Sequence, residues 1–268
     1  MKKNITLRLL ATVGLGGVLY VNALAVFQPL NGLTTKQVAD LYPTLFTPAG
    51  ITFSIWSLIY LSLIGFLFLA WLRTDSLLID QILPWFILSS VLNMAWIVAW
   101  HFLLPFVSVV IMIGLLATLI GIFRIIQTDL SIDKLEAGFV VFPFRLYLAW
   151  ICVATIANIA ALLVHWKLAG GSIAQEFWTI VMMAIATALS LLFVNRYRAW
   201  SFGLVVLWAL FGICLRWESG QHPYIVIAGI VLMISLCGYT IYSAVYGKRT
   251  WQTKPIKDAS IRQADDRK

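Results

Sequence analysis

The sequence predicts an all-α fold, a polytopic membrane helix bundle of about eight transmembrane helices, and three observations carry that reading. Of 268 residues, 62% are hydrophobic and 11% charged, with a mean hydropathy of +0.94. A water-soluble globular domain does not have that balance. Apolar runs of about 20 residues, the length of helix that crosses a hydrocarbon core, recur between short polar connections. Lysines and arginines collect in alternate connections, as they do when helices thread back and forth through a membrane. Seven of the 19 basic residues follow Gly247 and the rest are scattered. The net charge of +8 is therefore read as topology and anionic-lipid contact, not nucleic-acid binding.

Lys2, Lys3 and Arg8 precede the first apolar run, residues 9–27. The same pattern suits a signal peptide with Ala23, Leu24 and Ala25 as its cleavage box. Its length, and the helix-packing Gly14, Gly16 and Gly17, favour a retained span. Residues 28–50 form a polar loop bent at Pro29, Pro43 and Pro48, with a short helix capped by Thr34 or Thr35. A loop of this length is suited to covering a pocket. Span two, 51–72, carries Phe53, Trp56 and Tyr60 at i, i+3 and i+7, one side of a helix. Pro84 opens span three, 85–102, which repeats the spacing with Asn93, Trp96 and Trp100. Span four, 106–126, is aliphatic, with Gly114 and Gly121 one heptad apart, and reads as a packing or lipid-facing helix. A charged loop with Asp129, Asp133, Lys134 and Glu136 leads to span five, where Tyr147, Trp150, Ala154 and Asn158 share a face. Three more spans follow, 173–194, 200–217 and 224–246.

Three units result: a five-helix unit over 1–167, three further transmembrane helices over 168–246, and a disordered basic tail over 247–268. With the N-terminus cytoplasmic, fifteen basic residues fall on the cytoplasmic side, three (Lys36, Lys167 and Arg216) fall outside, and Arg145 lies within span five. Both termini are then cytoplasmic in a multi-pass cell-membrane protein. An odd number of spans would put the basic tail outside.

Lipid contacts are met by aliphatic side chains and Phe, so the indole and amide faces of spans two, three and five call for protein or ligand partners. Helix–helix packing and an interfacial aromatic belt are the plain readings; pocket lining is the functional one. Cys152, Cys214 and Cys237 lie in apolar runs without CxxC spacing and read as inert thiols. His101, His165 and His222 stand at span ends and read as interfacial rather than metal-binding. No GxSxG, HExxH, phosphate loop or carboxylate pair appears, so nothing in the sequence marks an enzyme. Arg145 either snorkels to the interface or turns inward to pair with Asp133, Glu136 or an anionic ligand. Arg216 and Glu218 are close enough in sequence to pair locally.

Three motifs carry a family resemblance. Span five reads PFRLYLAWICVATIAN, with YLAW, AT and the Asn in register. Span three reads LNMAW, with Trp100 and Phe102 after it. Span two reads IWSLIY behind Pro48. Together these resemble the tryptophan-rich sensory protein family, also called the translocator protein or peripheral benzodiazepine receptor family (TspO/MBR), over residues 1–167. The first loop, LYPTLFTPAG, lacks the family's tryptophan and offers Phe46 in its place, and Arg145 stands where the family has an apolar residue. LLVHWK lacks the tyrosine of a cholesterol-type pattern.

The resemblance implies a five-helix unit with a pocket beneath the first loop and porphyrin or haem-type ligands, with no obligatory cofactor and no metal. On that reading Phe53, Trp56, Tyr60, Asn93, Trp96, Trp100, Tyr147, Trp150, Ala154 and Asn158 line the pocket, with Arg145 facing an acidic edge of the ligand. The expected function is binding a hydrophobic or amphipathic ring compound, to sense, regulate or move it. A secondary transporter is the alternative, and a membrane enzyme acting on the ligand a second. The last three helices would form a separate module, a lid, or the interface of a homodimer.

Overall fold

The computed structural model describes residues 4–246 except 29, 130 and 169. The expected basic tail lies outside the described residues. Among those described there is no strand. Among the described residues seven helices are long and apolar enough to cross a membrane. The eighth expected crossing has only 17 residues, Trp200–Arg216, about 25 Å at 1.5 Å per residue, against about 30 Å of hydrocarbon.

In chain order the helices are α1 (Ile5–Phe27), a short α2 (Thr35–Asp40), α3 (Ile55–Leu72), α4 (Leu77–His101), α5 (Pro105–Thr128), a one-turn α6 (Lys134–Glu136), α7 (Phe142–His165), α8 (Ser172–Tyr197), α9 (Trp200–Arg216) and α10 (Pro223–Tyr246). Their ends follow from local chemistry. Thr34 makes a capping box with Gln37, and Asp133 makes one with Glu136. Pro105 sits in the first turn of α5, where its missing N–H costs nothing. Gly14 and Gly17 of α1 meet Ser90 and Met94 of α4, as packing glycines should, while Gly16 faces open space.

Helices α1, α4, α5, α7 and α3 close a ring, each packed against the next and α3 against α1. Helix α9 lies against α7 and the 3-10 turn Gly50–Ser54, and α8, α9 and α10 pack on one another. One end of the bundle, the cap end, carries α2 and its flanking loop; the opposite, basal end carries the start of α1.

The basal end is tied by charge. Arg8, expected to flank span one, lies inside α1 and is fully buried. Its Nε donates to the Ala70 carbonyl at 2.8 Å and its Nη2 to that of Arg73 at 3.3 Å, at the C-terminal end of α3. Its Nη1 pairs with Asp80 in the first turn of α4 at 2.8 Å. The guanidinium thus meets a helix C-terminus and a carboxylate together. Nearby, Arg73 pairs with Asp133, and Ser76 donates to Glu136 at 2.8 Å. The Glu136 backbone N–H and then Arg73 hold the Asp133 carboxyl below the ordinary carboxylate range.

Removing the buried Arg8 strands the half-buried Asp80 carboxylate and the α3 carbonyls that the guanidinium satisfies. Arg8→Ala is expected to lower the stability of the detergent-solubilised chain by about 3 kcal/mol, read as a fall in thermal midpoint. Arg8→Lys should recover only part, lacking the planar fork. An unchanged midpoint in Arg8→Ala would show that the latch does not hold the ring.

Candidate functional site

The three faces read from the sequence meet inside the ring. Trp56 is their centre: its ring lies 5.4 Å from Tyr60, 6.1 Å from Trp96, 6.1 Å from Tyr147 and 6.2 Å from Trp150, centroid to centroid. Phe53, in the turn ahead of α3, is edge-on to Trp150 at 6.4 Å. Trp96 and Trp100, one turn apart on α4, lie nearly parallel at 6.4 Å.

Two amides set this spacing. Asn93, with no exposed surface, donates to the Tyr147 hydroxyl at 3.0 Å and accepts from Asn22 of α1 at 3.1 Å. Asn158 accepts from Trp96 Nε1 at 3.1 Å and from Ser108 of α5 at 2.7 Å, and donates to the Ala154 carbonyl at 2.9 Å.

Two cavities lie around Trp56. The larger, about 460 Å³, opens among α1, α3, α4 and the first loop, with Asn22, Lys36, Phe53, Trp56, Tyr60 and Trp96 in its wall. The smaller, about 60 Å³, lies under the loop against Trp56, Trp96, Trp100, Trp150, Ala154 and Asn158. Phe53, Trp56 and Trp96 line both. Trp150, in the wall of the smaller, has its Nε1–H buried without an acceptor. Two other spaces lie at the seams, about 260 Å³ between α7, α8 and Thr44–Leu45, and about 380 Å³ among α3, α7 and α9.

Eight of the eleven residues singled out from the sequence therefore stand in cavity walls. Asn93 and Tyr147 stand behind the wall and bond to each other. Arg145 is elsewhere: its guanidinium donates to the Tyr197 carbonyl at 3.1 Å, at the C-terminus of α8. Asp133 and Glu136, its expected partners if it turned inward, are engaged by Arg73 and Ser76. Sequence reasoning missed Asn22, Lys36 and Tyr42. Asn22 had a signal, an amide in an apolar run; Lys36 and Tyr42 carried only their place in the loop. Among the described residues no three His, Cys, Asp or Glu gather as metal ligands.

The loop is fastened over the site from both sides. Asn31 donates to the His101 carbonyl at 3.1 Å, and Thr35 Oγ1 lies 3.3 Å from His101 Nε2. Tyr42 leans on Trp100 at 5.6 Å, and burial raises its phenol pKa. Trp217, which caps α9, donates to the Leu45 carbonyl and Trp208 of α9 to that of Thr52, each at 2.9 Å, and the Gly212 carbonyl accepts from Ala49 at 2.9 Å. A Cβ on Gly212 would stand 1.9 Å from Thr52 Oγ1, so only glycine lets the loop lie this close.

The family model described as TSPO-like protein matches residues 8–242. That span runs through α8, α9 and most of α10, beyond the 1–167 over which motifs were read. No curated protein and no solved structure matches the chain.

Gly212→Ala is expected to push the loop off α9 at a cost of about 1–3 kcal/mol, as overpacking does. Amide exchange over residues 44–52 should accelerate while that of α4 and α5 stays unchanged. Unaltered exchange in the loop would mean that α9 does not hold it.

Proposed function

Because the chain belongs to the TSPO-like protein family, we propose that this multi-pass membrane protein binds a flat hydrophobic or amphipathic ring compound of porphyrin type in the cavities around Trp56. On this reading it senses, regulates or moves that compound in the cell membrane, with both termini cytoplasmic. The observation that carries the proposal is the aromatic cage itself. Four tryptophans, Trp56, Trp96, Trp100 and Trp150, line the two cavities between the helices and the first loop. Each ring stacked on a conjugated ligand contributes about 1 kcal/mol beyond burial. The unpartnered Trp150 N–H supports a ligand that bears an acceptor, since a buried donor left unpaired costs about 1–3 kcal/mol. Neither lining contains His, Cys, Asp or Glu, which favours binding over acid–base chemistry by such groups.

Protoporphyrin added to the full chain in detergent should quench tryptophan fluorescence saturably. Trp56→Leu should weaken the affinity by about fivefold, the worth of a stacked pair. Absence of saturable quenching by protoporphyrin would overturn the proposal.

A further inference from the structure

The wall of the larger cavity contains one charged residue, Lys36, at the loop end. All other lining groups are apolar, aromatic, hydroxyl or amide. The Lys36 stem lies over Gly50, its Cδ and Cε each 3.6 Å from where a Cβ would stand. Its Nζ reaches Asp40, one helical turn on, at 2.5 Å. Asp40 has a second cation beside it: Arg216, at the end of α9, stands 3.9 Å from its other carboxylate oxygen. Arg216 is itself placed by the Thr47 carbonyl, 3.4 Å away, and by the Trp217 ring beneath it. One carboxylate thus lies between a cation of the cavity wall and a cation of α9.

From this arrangement we infer that Lys36 selects ligands bearing an anionic group: its ammonium leaves Asp40 for the ligand's carboxylate, and Asp40 closes on Arg216. The inference rests on the proposed function and adds to it the charge of the ligand and the residue that reads it. The exchange keeps every charge paired, because Asp40 gains one partner as it loses the other. A bare lysine at the mouth would bind anions from the solvent indiscriminately; Asp40 makes the ligand compete for it. The exchange also gives α9 a stake in occupancy, through the same helix that holds the loop. Lys36 and Asp40 are substantially exposed, so the effect belongs to the surface-pair range.

The test compares protoporphyrin IX, which carries two carboxylates, with its uncharged dimethyl ester, by fluorescence quenching of the full chain in neutral detergent at low salt. The wild type should prefer the acid by about three- to fivefold, and added salt should erase the preference. Lys36→Ala should abolish the preference, read as the ratio of acid to ester affinity within the variant, whereas Lys36→Arg should keep it. Asp40→Asn should increase the preference in the wild-type background but not in Lys36→Ala, which separates action through Lys36 from a general field effect. A preference retained in Lys36→Ala overturns the inference. Equal binding of acid and ester by the wild type overturns it too, while leaving the proposed function standing. If neither compound quenches, both fall.

Discussion

Hydrocarbon offers nothing to a polar group, so a buried amide in a membrane protein must find its partners inside. Asn93 and Asn158 turn that constraint into architecture. Asn93 joins α1 to α7 through Asn22 and Tyr147, and Asn158 joins α4 to α5 through Trp96 and Ser108. Four helices of the ring are therefore held at set distances by directional bonds as well as by filled volume. An ordinary core collapses onto its contents, and a gap costs stability. Here the backbone spacing is fixed next to the gap, and the aromatic walls keep open space between them.

The three helices beyond the ring bear on the same site. Helix α9 makes bonds to the backbone of the covering loop at Leu45, Ala49 and Thr52, and Gly212 removes the Cβ that would hold the loop away. These contacts go to main-chain groups, so they constrain the path of the loop and say little about its side chains. The loop's departure from the tryptophan-bearing family pattern is compatible with this, since the fastening comes from α9. Helices α8 and α10 then brace α9, with Glu176 of α8 meeting His222 just before α10 at 2.5 Å.

Much of this was legible in the sequence, for a physical reason. A face at i, i+3, i+7 is a local property of one helix, so the walls of Trp56, Trp96 and Trp150 could be read without knowing the fold. The partners of those faces could not. Asn22 and Asn93 are 71 residues apart, and Ser108 and Asn158 are 50 apart. Whether an amide lines a cavity or stands behind the wall depends on the helix that arrives opposite it, which is why Asn93 and Tyr147 were placed one layer too far forward. Arg8 was read as a flanking charge because the half-buried acid that holds it, Asp80, lay beyond an intervening helix. Arg145 left both of its alternatives open in the sequence; its partner, the Tyr197 carbonyl, is a main-chain atom and has no signature of its own.

Under the proposed function, the partition between the two cavities bears on how a ring compound would enter. Phe53, Trp56 and Trp96 line both spaces, so the boundary is made of side chains rather than of backbone. The smaller space, about 60 Å³, cannot take a tetrapyrrole as it stands. If the two are joined by a turn of Trp56, one of the residues lining both, that turn gives up contacts with four neighbouring rings, each about 1 kcal/mol. A conjugated ligand placed between the displaced indole and Trp150 would restore contacts of the same kind. The rearrangement is therefore close to balanced for a flat aromatic guest and unfavourable for an aliphatic one of equal volume. On the proposed function, selection by ring character would then follow from the cost of opening the wall, with no need for a preformed slot.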